Sequence, residues 1–273
     1  MIKDIKTRIS KLNIDFEAYW EPIYLILLAF FVGMRFLLST MFTIYWPKYF
    51  YRTLTVIGMV LVLLHLMMVK DISKKEIAAM LVVTFVFMMS HYVSGYDFLV
   101  DLLILILGAY RVNFRNILKT YIAVWSVLLV VTIIGAMTGL AENLVYYQGE
   151  SGERVRIALG ICYPTDLAAY VAFLMFAYVC VRDEYITYLE IGVMAGLAGA
   201  VYYITDARTN FIVMEMLVAV VLLAKKFKKQ FEKLINKKWA KGVCVFFPIV
   251  MCLIAWSMTI VFNADNALNK RKR

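Results

Sequence analysis

Long apolar runs recur along nearly the whole of this sequence and limit what it can fold into. Hydrophobic residues make up 63% of its 273 residues, and the mean hydropathy is +0.78. A transmembrane helix needs about 20 such residues, so the chain can supply about nine spans with little length left for a soluble domain. We therefore predict an all-α fold, a polytopic helical membrane bundle in which residues 1–273 form a single transmembrane domain.

The hydropathy pattern separates nine predicted spans. The fourth is short and contains Asp97 and Asp101, which favours a helix that is tilted, partly re-entrant or buried inside the bundle. Trp20, Trp46 and Tyr110 lie at predicted helix ends, where aromatic anchors are common. The spans are expected near residues 23–45, 53–69, 76–93, 97–110, 117–139, 157–181, 185–205, 209–224 and 242–262.

Basic residues gather in alternate loops, and this asymmetry predicts the orientation of the chain. They concentrate near the N-terminus, in 70–75, in 111–119 and above all in 225–241. Loops rich in Lys and Arg stay in the cytoplasm, so we expect a cytoplasmic N-terminus and a basic cytoplasmic loop at 225–241. The principal outer loop is then 140–156, and the C-terminus lies outside.

The net charge of +10 follows largely from this topology, because the basic loops face the anionic inner leaflet. A nucleic-acid partner is therefore not needed, and membrane lipids are expected partners. Residues 225–242 place apolar side chains on one helical face among lysines, as an interfacial helix does; a regulatory or partner site is the alternative. Residues 1–12 have the same amphipathic pattern and lack the apolar core of a cleavable signal.

The sequence lacks the motifs that mark several common enzyme and transport chemistries. It has no Walker A, HExxH, GxSxG or GxGxxG pattern, so we expect neither ATP-driven transport nor metalloprotease chemistry, and no cofactor or metal. The glycines of 192–200 have the small-xxx-small spacing that lets membrane helices approach closely. Four cysteines lack CxxC spacing and are expected to be packing residues inside spans: Cys162, Cys180, Cys244 and Cys252.

Three arginines fall on the predicted outer side, where the positive-inside rule disfavours them. Arg154 and Arg156 end the 140–156 loop, and Arg208 lies in the short turn TDARTN at 205–210. Guanidinium groups bind phosphate through paired hydrogen bonds, so together they predict an outer-face anion site. The alternative is that they reach lipid headgroups or pair with nearby carboxylates, namely Glu150, Glu153 and Asp206.

Two motifs in this region resemble a known family. The segment RVRIALGICYPTD contains R-x-x-L-G-x-x-Y-P-T-D at the start of a predicted helix, and a T-D-x-R-T turn follows about 40 residues later. Over roughly residues 150–225 this pattern is similar to the oligosaccharide repeat-unit polymerases of bacterial capsule and exopolysaccharide assembly, within the O-antigen polymerase and ligase superfamily. Elsewhere the resemblance is one of hydropathy and length.

The resemblance implies a metal-independent glycosyltransferase in the cell membrane that acts at its outer face. Its substrate would be an undecaprenyl-pyrophosphate-linked oligosaccharide, and a flippase and a chain-length regulator would be partners. In such enzymes arginines hold the pyrophosphate. Arg156 matches the arginine before the L-G pair and Arg208 the arginine of the later turn, with Arg154 beside them. Asp166 stands where related sequences often carry a polar residue after the proline.

The implied reaction agrees with these residue types. A sugar hydroxyl attacks the anomeric carbon of the growing chain, and undecaprenyl pyrophosphate leaves with negative charge that arginines stabilise without a metal. The first outer loop, 47–52, holds no carboxylate that would bind a metal. Asp166 is the candidate base, in a helix expected to be broken at Pro164, and capping of that helix accounts for it equally well.

Other polar residues in the predicted spans are assigned to structure. His65 and His91 are expected to be packed or hydrogen-bonded rather than catalytic. Arg35 lies within the first span, where lipid disfavours it, so we expect it to face the bundle, to snorkel or to form a structural ion pair.

The sequence departs from the family at its C-terminal end. Relatives continue through another outer loop, with a further arginine and often a histidine, and then through more spans, whereas this sequence stops at KRKR. Arg271 is the candidate remnant of that arginine. We expect a truncation and expect that the chain alone does not restore polymer to a strain lacking its polymerase, so its activity stays open.

Two other functions stay open. A ligase that transfers finished chains to another acceptor needs the same pyrophosphate clamp. A transporter or flippase for anionic lipid-linked sugars also needs cations in a cavity, and it should have repeated halves or paired broken helices. The sequence has one clear break, at Pro164, and no internal repeat.

Overall fold

The computed structural model describes residues 16–43, 48–69, 71–148 and 154–230, with short stretches and single positions between 237 and 257. The helices are α1 (Phe16–Leu38), α2 (Lys48–Met68), α3 (Lys74–Ser94), α4 (Phe98–Gly108), α5 (Phe114–Met137), α6 (Pro164–Arg182), α7 (Tyr188–Thr205) and α8 (Arg208–Lys226). Strands β1 (Val145–Gln148) and β2 (Arg154–Ile157) form a hairpin, and a 3-10 turn covers Asp183–Tyr185.

The chain divides into two compact units, Met1–Val218 and Ala219–Arg273. Of the second unit the structure describes the end of α8 and short helical stretches such as 249–254. Several predicted features lie outside the described residues: the amphipathic segment 1–12, the loop positions 149–153, most of 231–241, much of the ninth span and Arg271.

Six helices of the described chain are long and apolar enough to cross a membrane. They define a multi-pass helical membrane protein by length and composition. The short fourth span is present as the 11-residue apolar helix α4. Helix α8, with Glu215 inside it and cations at both ends, is not among the six. The six are Tyr19–Leu38, Tyr49–Met68, Lys74–Ser94, Phe114–Met137, Pro164–Tyr185 and Tyr188–Thr205.

Local sequence signals determine where helices start and stop. The Ser73 side chain accepts from the Glu76 amide while the Glu76 carboxylate accepts from the Ser73 amide, and Thr187 and Glu190 form the same capping box before α7. Each box satisfies amides that the first turn of a helix leaves without a partner. Helix α3 ends at Gly95, whose φ of 69° is a conformation that glycine adopts without strain.

Helix α1 carries most of the core of the first unit. It packs against α2, α4 and α5, and α6 packs between α5 and α7. Trp20, Tyr24 and Phe31 of α1 are at most 2% exposed and form one cluster with Val62 of α2 and Ile104 of α4. Large aromatic side chains therefore hold α1 inside the bundle.

One end of the bundle is closed by contacts around Trp20 near the start of α1. Its indole Nε1 donates to the carbonyl of Gly108, 3.0 Å away, at the end of α4. Its ring stacks on His65 of α2 with centroids 4.1 Å apart, and His65 Nε2 lies 3.2 Å from the Tyr110 carbonyl oxygen. His65 is thus a packed and hydrogen-bonded residue, as predicted.

The start of α5 and the end of α6 meet at this same end. Arg115 Nη2 donates to the Val181 carbonyl at 2.9 Å, and Asn116 Nδ2 donates to Glu21 Oε1 of α1 at 2.5 Å. The starts of α1 and α5 therefore lie together with the ends of α2, α4 and α6. Successive helices alternate in direction, which agrees with the alternation of basic loops in the sequence.

The opposite end is closed by main-chain contacts between the segment after α1 and the segment before α6. The Met41 amide donates to the Gly160 carbonyl at 2.8 Å, and the Cys162 amide donates to the Ser39 carbonyl at 2.9 Å. These bonds hold the approach to α6 against the end of α1. The predicted outer segments thus lie at one end of the bundle.

An ion pair between Arg35 and Asp101 joins α1 to α4 inside the bundle. Arg35 Nε donates to Asp101 Oδ2 at 3.0 Å, and the Asp101 side chain is only 2% exposed. The hydroxyl groups of Tyr51 and Thr55 on α2 also donate to this carboxylate. The guanidinium lies 5.1 Å from the Phe98 ring centroid. The predicted structural ion pair is confirmed, and Asp101 is a buried residue of the partly buried helix α4.

Two packing predictions are wrong for the described residues. A Cβ built on Gly192, Gly196 or Gly199 meets no atom within 4 Å, so the glycine face of α7 approaches no other helix there. Of the cysteines, Cys180 is exposed and Cys162 precedes α6 rather than lying within a span. Small residues permit close helix approach but require a facing helix to realise it.

We predict that Asp101→Asn destabilises the bundle by about 3–5 kcal/mol, because it leaves a guanidinium in apolar surroundings without its counter-charge. Asp97→Asn is the matched control, since the Asp97 side chain is 84% exposed, and its effect should stay within about 0.5 kcal/mol. The measurement is equilibrium unfolding of the purified protein in mixed micelles containing SDS. Equal destabilisation by both variants would contradict the role assigned to the pair.

Candidate anion-binding site

The principal outer loop contains a β-hairpin, which the sequence analysis did not predict. Strands β1 and β2 are antiparallel, with Tyr146 opposite Arg156 and Gln148 opposite Arg154. Side chains alternate along a strand, so Arg154 and Arg156 leave the hairpin on the same face. Tyr146 Oη donates to the Cys162 carbonyl at 2.7 Å, which ties the hairpin to the start of α6, and burial raises the pKa of this tyrosine.

The L-G pair after Arg156 makes a left-handed turn that presses the chain against α5. Leu159 and Gly160 have φ values of 47° and 80°. A Cβ on Gly160 would lie 3.0 Å from both the carbonyl oxygen and Cγ2 of Thr132, so only glycine fits without displacement. The motif therefore encodes a strand, a left-handed turn and a helix start in succession.

Helix α6 begins at Pro164, and this corrects the prediction of a helix that starts at 157 and is broken at the proline. Proline has no amide hydrogen and suits the first turn, where that hydrogen would lack a helical partner. Residues 157–163 instead form the end of β2 and the turn. No backbone groups are freed in the middle of this span.

Asp166 lies in the first turn of α6 and is half-buried. Burial and then the Asp166 charge raise the pKa of the Cys162 thiol, so the carboxylate is within electrostatic reach of that residue. A carboxylate in the first turn interacts favourably with the helix dipole. The N-cap residue of α6 is Tyr163, with no side-chain cap hydrogen bond, so capping by Asp166 stays a prediction.

The TDARTN turn is as tight as predicted and sets Arg208 at the start of α8. Helix α7 ends at Thr205, and Asp206 adopts a left-handed conformation with φ 45° and ψ 35°. Its amide donates to the Tyr202 carbonyl at 2.8 Å. Aspartate is among the residues that tolerate this conformation best. Only two residues, Asp206 and Ala207, separate the end of α7 from the start of α8 at Arg208.

The structure brings the three predicted arginines together from two distant segments. Arg156 Nε donates to the Thr205 carbonyl at 2.9 Å, where a cation complements the carbonyl end of α7. Arg154 Nε and Arg208 Nε each lie 3.8 Å from an oxygen of Asp206, so both pair with the same carboxylate. Pairing with Asp206, one of the alternatives considered, is thus realised.

These side chains surround a cavity of about 240 Å³ at the starts of two helices. Asn210 Nδ2, in the first turn of α8, donates to the Thr165 carbonyl in the first turn of α6 at 2.9 Å. Helix N-termini present amide hydrogens and a positive dipole end to anions. The lining residues are Arg154, Arg156, Thr165, Asp206, Ala207, Arg208, Thr209 and Asn210, a set that does not include Asp166.

The electrostatics of the cavity favour a multivalent anion. Its charged lining residues are three arginines and one aspartate, which leaves two positive charges in excess. The side chains of Arg154 and Arg208 are 49% and 58% exposed, and Asp206 is 22% exposed. Exposed pairs 3.8 Å apart contribute little stability, so these guanidinium groups can exchange Asp206 for a phosphate oxygen.

Thr165 and Asn210 are lining residues that the sequence analysis did not select. Each lies in the first turn of a helix that starts within one of the two motifs, and their hydrogen bond joins those turns. The sequence signal that could have identified Thr165 and Asn210 is their position. Both lie at predicted helix starts on the same side of the membrane, and such helix starts can line one pocket. Their residue types alone do not distinguish them from other surface polar residues.

The described polar residues His65, His91 and Arg35 are not among the residues that line the cavity. His91 Nδ1 lies 3.0 Å from the Tyr96 carbonyl oxygen near the end of α3, so it is hydrogen-bonded as predicted. Within the described residues no group of three or more His, Cys, Asp and Glu could hold a metal ion.

Comparison with family models, with curated proteins and with solved structures finds no match to this chain.

We predict that Gly160→Ala destabilises the protein by about 2–5 kcal/mol, the sum of left-handed strain and overpacking against α5. Gly139→Ala is the matched control, because Gly139 has a φ of 79° but no atom within 4 Å of a built Cβ. It should cost only the strain, about 1–2 kcal/mol. Thermal unfolding in detergent measures both, and equal losses would contradict the packing of Gly160 against Thr132.

Proposed function

We propose that this chain is a membrane glycosyltransferase that polymerises undecaprenyl-pyrophosphate-linked oligosaccharide repeat units at the outer face of the cytoplasmic membrane. The observation that carries the proposal is the meeting of Arg154, Arg156 and Arg208 around one cavity at the starts of α6 and α8. The motif resemblance in this same region supports it, because the two arginines that match the family's motifs line that cavity.

The chemistry required of the site is the stabilisation of a diphosphate leaving group. The acceptor hydroxyl oxygen bonds to the anomeric carbon as the bond from that carbon to the phosphate oxygen breaks, and the hydroxyl proton passes to a base. Arginines placed where the leaving charge develops lower the barrier, and their paired donors fit phosphate oxygens. Asp166, next to the cavity-lining Thr165, is the proposed base.

The start of α6 bears on one of the two alternative functions, and shared chemistry bears on the other. A transporter would use broken helices at its binding site, and the start of α6 at Pro164 removes the one break that the sequence suggested. A ligase of the same superfamily would use the same arginine cavity, and only the acceptor separates it from a polymerase. We therefore propose polymerisation first and chain transfer to another acceptor second.

The proposed orientation has nine spans, a cytoplasmic N-terminus and the arginine cavity outside. Support comes from the charges at the two ends of the bundle. The end around Trp20 carries the cations that the positive-inside rule assigns to the cytoplasm, and the cavity lies at the other end. Those cations are Lys74, Lys75, Arg111, Arg115, Lys119 and Arg182.

Single-cysteine labelling tests this orientation. In a variant with the four native cysteines replaced by alanine, Tyr147→Cys in β1 should react with a membrane-impermeant maleimide on intact cells, because it is exposed in the proposed outer loop. Lys229→Cys should react only after permeabilisation, since it belongs to the basic cytoplasmic loop. Labelling of both positions from the same side would overturn the topology.

Arginine substitution tests the site itself. Arg156→Ala and Arg208→Ala, made in this chain in a complemented strain or at the matching motif positions of a full-length homologue that forms polymer, should each lower polymer formation about 100- to 1000-fold, the usual loss for one electrostatic donor. Arg154→Ala should be milder, because Arg154 is not one of the two arginines that match the family's motifs. Lysine should restore only part of the activity, since an ammonium lacks the paired donors.

The assay is polymer length on a gel from a complemented polymerase-deficient strain, read beside binding of undecaprenyl pyrophosphate to the purified variants. Arg52→Ala is the matched control, an exposed arginine at the start of α2 that does not line the cavity. If Arg208→Ala binds undecaprenyl pyrophosphate as tightly as the wild type, the proposed role of Arg208 in diphosphate binding is wrong. This outcome can be read even if the wild-type chain forms no polymer.

A further inference from the structure

A second cavity, independent of the arginine site, lies between α2, α3 and α4. It has a volume of about 500 Å³. On α3 it runs from Ile77 to Met88, which at 1.5 Å per residue is about 16 Å, or half of a hydrocarbon core of about 30 Å. The lining residues are Met59, Val62, Leu63, Leu66, Met67, Ile72, Ile77, Met80, Leu81, Thr84, Met88, Val100, Leu103, Ile104 and Leu107.

The lining of this groove excludes water. Thr84 supplies the one hydroxyl group, and its Oγ1 already donates to the Met80 carbonyl at 2.8 Å. Water in such a space would lose hydrogen bonds without replacement. The groove therefore takes hydrocarbon.

The groove is open towards lipid because α3 lies at the edge of the bundle. None of the residues of α3 is buried, and the helix packs mainly against α4. Leu63 of α2 and Leu81 of α3 line the groove and are 46% and 65% exposed. The groove extends over about 16 Å, which is about half of the length over which a spanning helix of another copy would lie against α3.

Charged residues surround the end of the groove at the start of α3. Lys74 and Lys75 are exposed there, and Arg111 lies within electrostatic reach of the Glu76 carboxylate. The Ser73 amide donates to the Glu76 carboxylate at 2.8 Å. Asp71 is the other described carboxylate at this end of the groove. Among the described residues at this end, the three cations exceed the two carboxylates by one, and the start of a helix adds a positive dipole end. This end suits an anionic phosphate group.

We infer that the groove binds an anionic glycerophospholipid, with one acyl chain between α2 and α3 and the phosphate at Lys74 and Lys75. The chain fills the space that α3 leaves against α2, and flexible methionines along both helices adapt to it. The bound lipid lies between α3 and both α2 and α4, so it adds to the contact that α3 makes with α4. Its leaflet is the one at the basic end of the bundle.

Native mass spectrometry of the full chain in mild detergent tests the inference, with phosphatidylglycerol as the probe and phosphatidylcholine as the neutral comparison. Wild-type protein should retain phosphatidylglycerol in preference. Met80→Trp, which fills the groove, should lower its affinity about tenfold or more, because excluding only two methylenes already gives that factor. Val82→Trp is the matched control on the same helix, exposed and outside the lining.

Lys74→Gln with Lys75→Gln should bring the two lipids to equal retention while the acyl chain still binds. Circular dichroism and elution volume check that each variant folds, and Leu63→Phe on the opposite wall replaces Met80→Trp if that variant does not. Wild-type affinity in both groove variants, equal retention of the two lipids by the wild type, or displacement of phosphatidylglycerol by undecaprenyl phosphate would overturn the inference. None of these outcomes depends on the arginine cavity.

Discussion

The ion pair between Arg35 and Asp101 is the interaction on which the arrangement of the first helices depends. A lone charge in an apolar bundle is strongly unfavourable, and each of these two residues removes that penalty for the other. Because Tyr51 and Thr55 also donate to Asp101, three helices meet at one carboxylate. Helix α1, held in this way, forms the surface against which α5 packs.

The arginine cavity depends in turn on how the chain returns from α5 to α6. The left-handed turn at Gly160 passes so close to Thr132 that a side chain there would displace it. From that turn the hairpin reaches over α7, and Arg156 bonds to the carbonyl of Thr205. The position of Arg156 in the cavity therefore depends on the packing of Gly160 against α5, although α5 contributes no residue to the cavity lining.

The two cavities differ in polarity and charge, and they therefore suit different kinds of ligand. The arginine cavity is polar, lies at two helix starts and has positive charge in excess, so it suits an anion that arrives with its own hydrogen-bond acceptors. The groove beside α3 is apolar along its length and suits hydrocarbon. They lie towards opposite ends of the bundle, since the cations beside the groove belong to the end around Trp20.

The sequence by itself determined the membrane-type helical bundle and the tight turn at Asp206. It also singled out Arg154, Arg156 and Arg208 as candidates for an anion site. Hydropathy, short motifs and charge suffice for these because they are properties of neighbouring residues. The sequence also left a structural ion pair as one of three possibilities for Arg35. Only the tertiary structure decided that the partner of Arg35 is Asp101, that Pro164 starts α6, that a hairpin precedes it, and that Thr165 and Asn210 complete the cavity. Each of these depends on a contact between residues far apart in the chain or on a backbone conformation that such a contact holds, and the energy of these contacts exists only once the helices have packed.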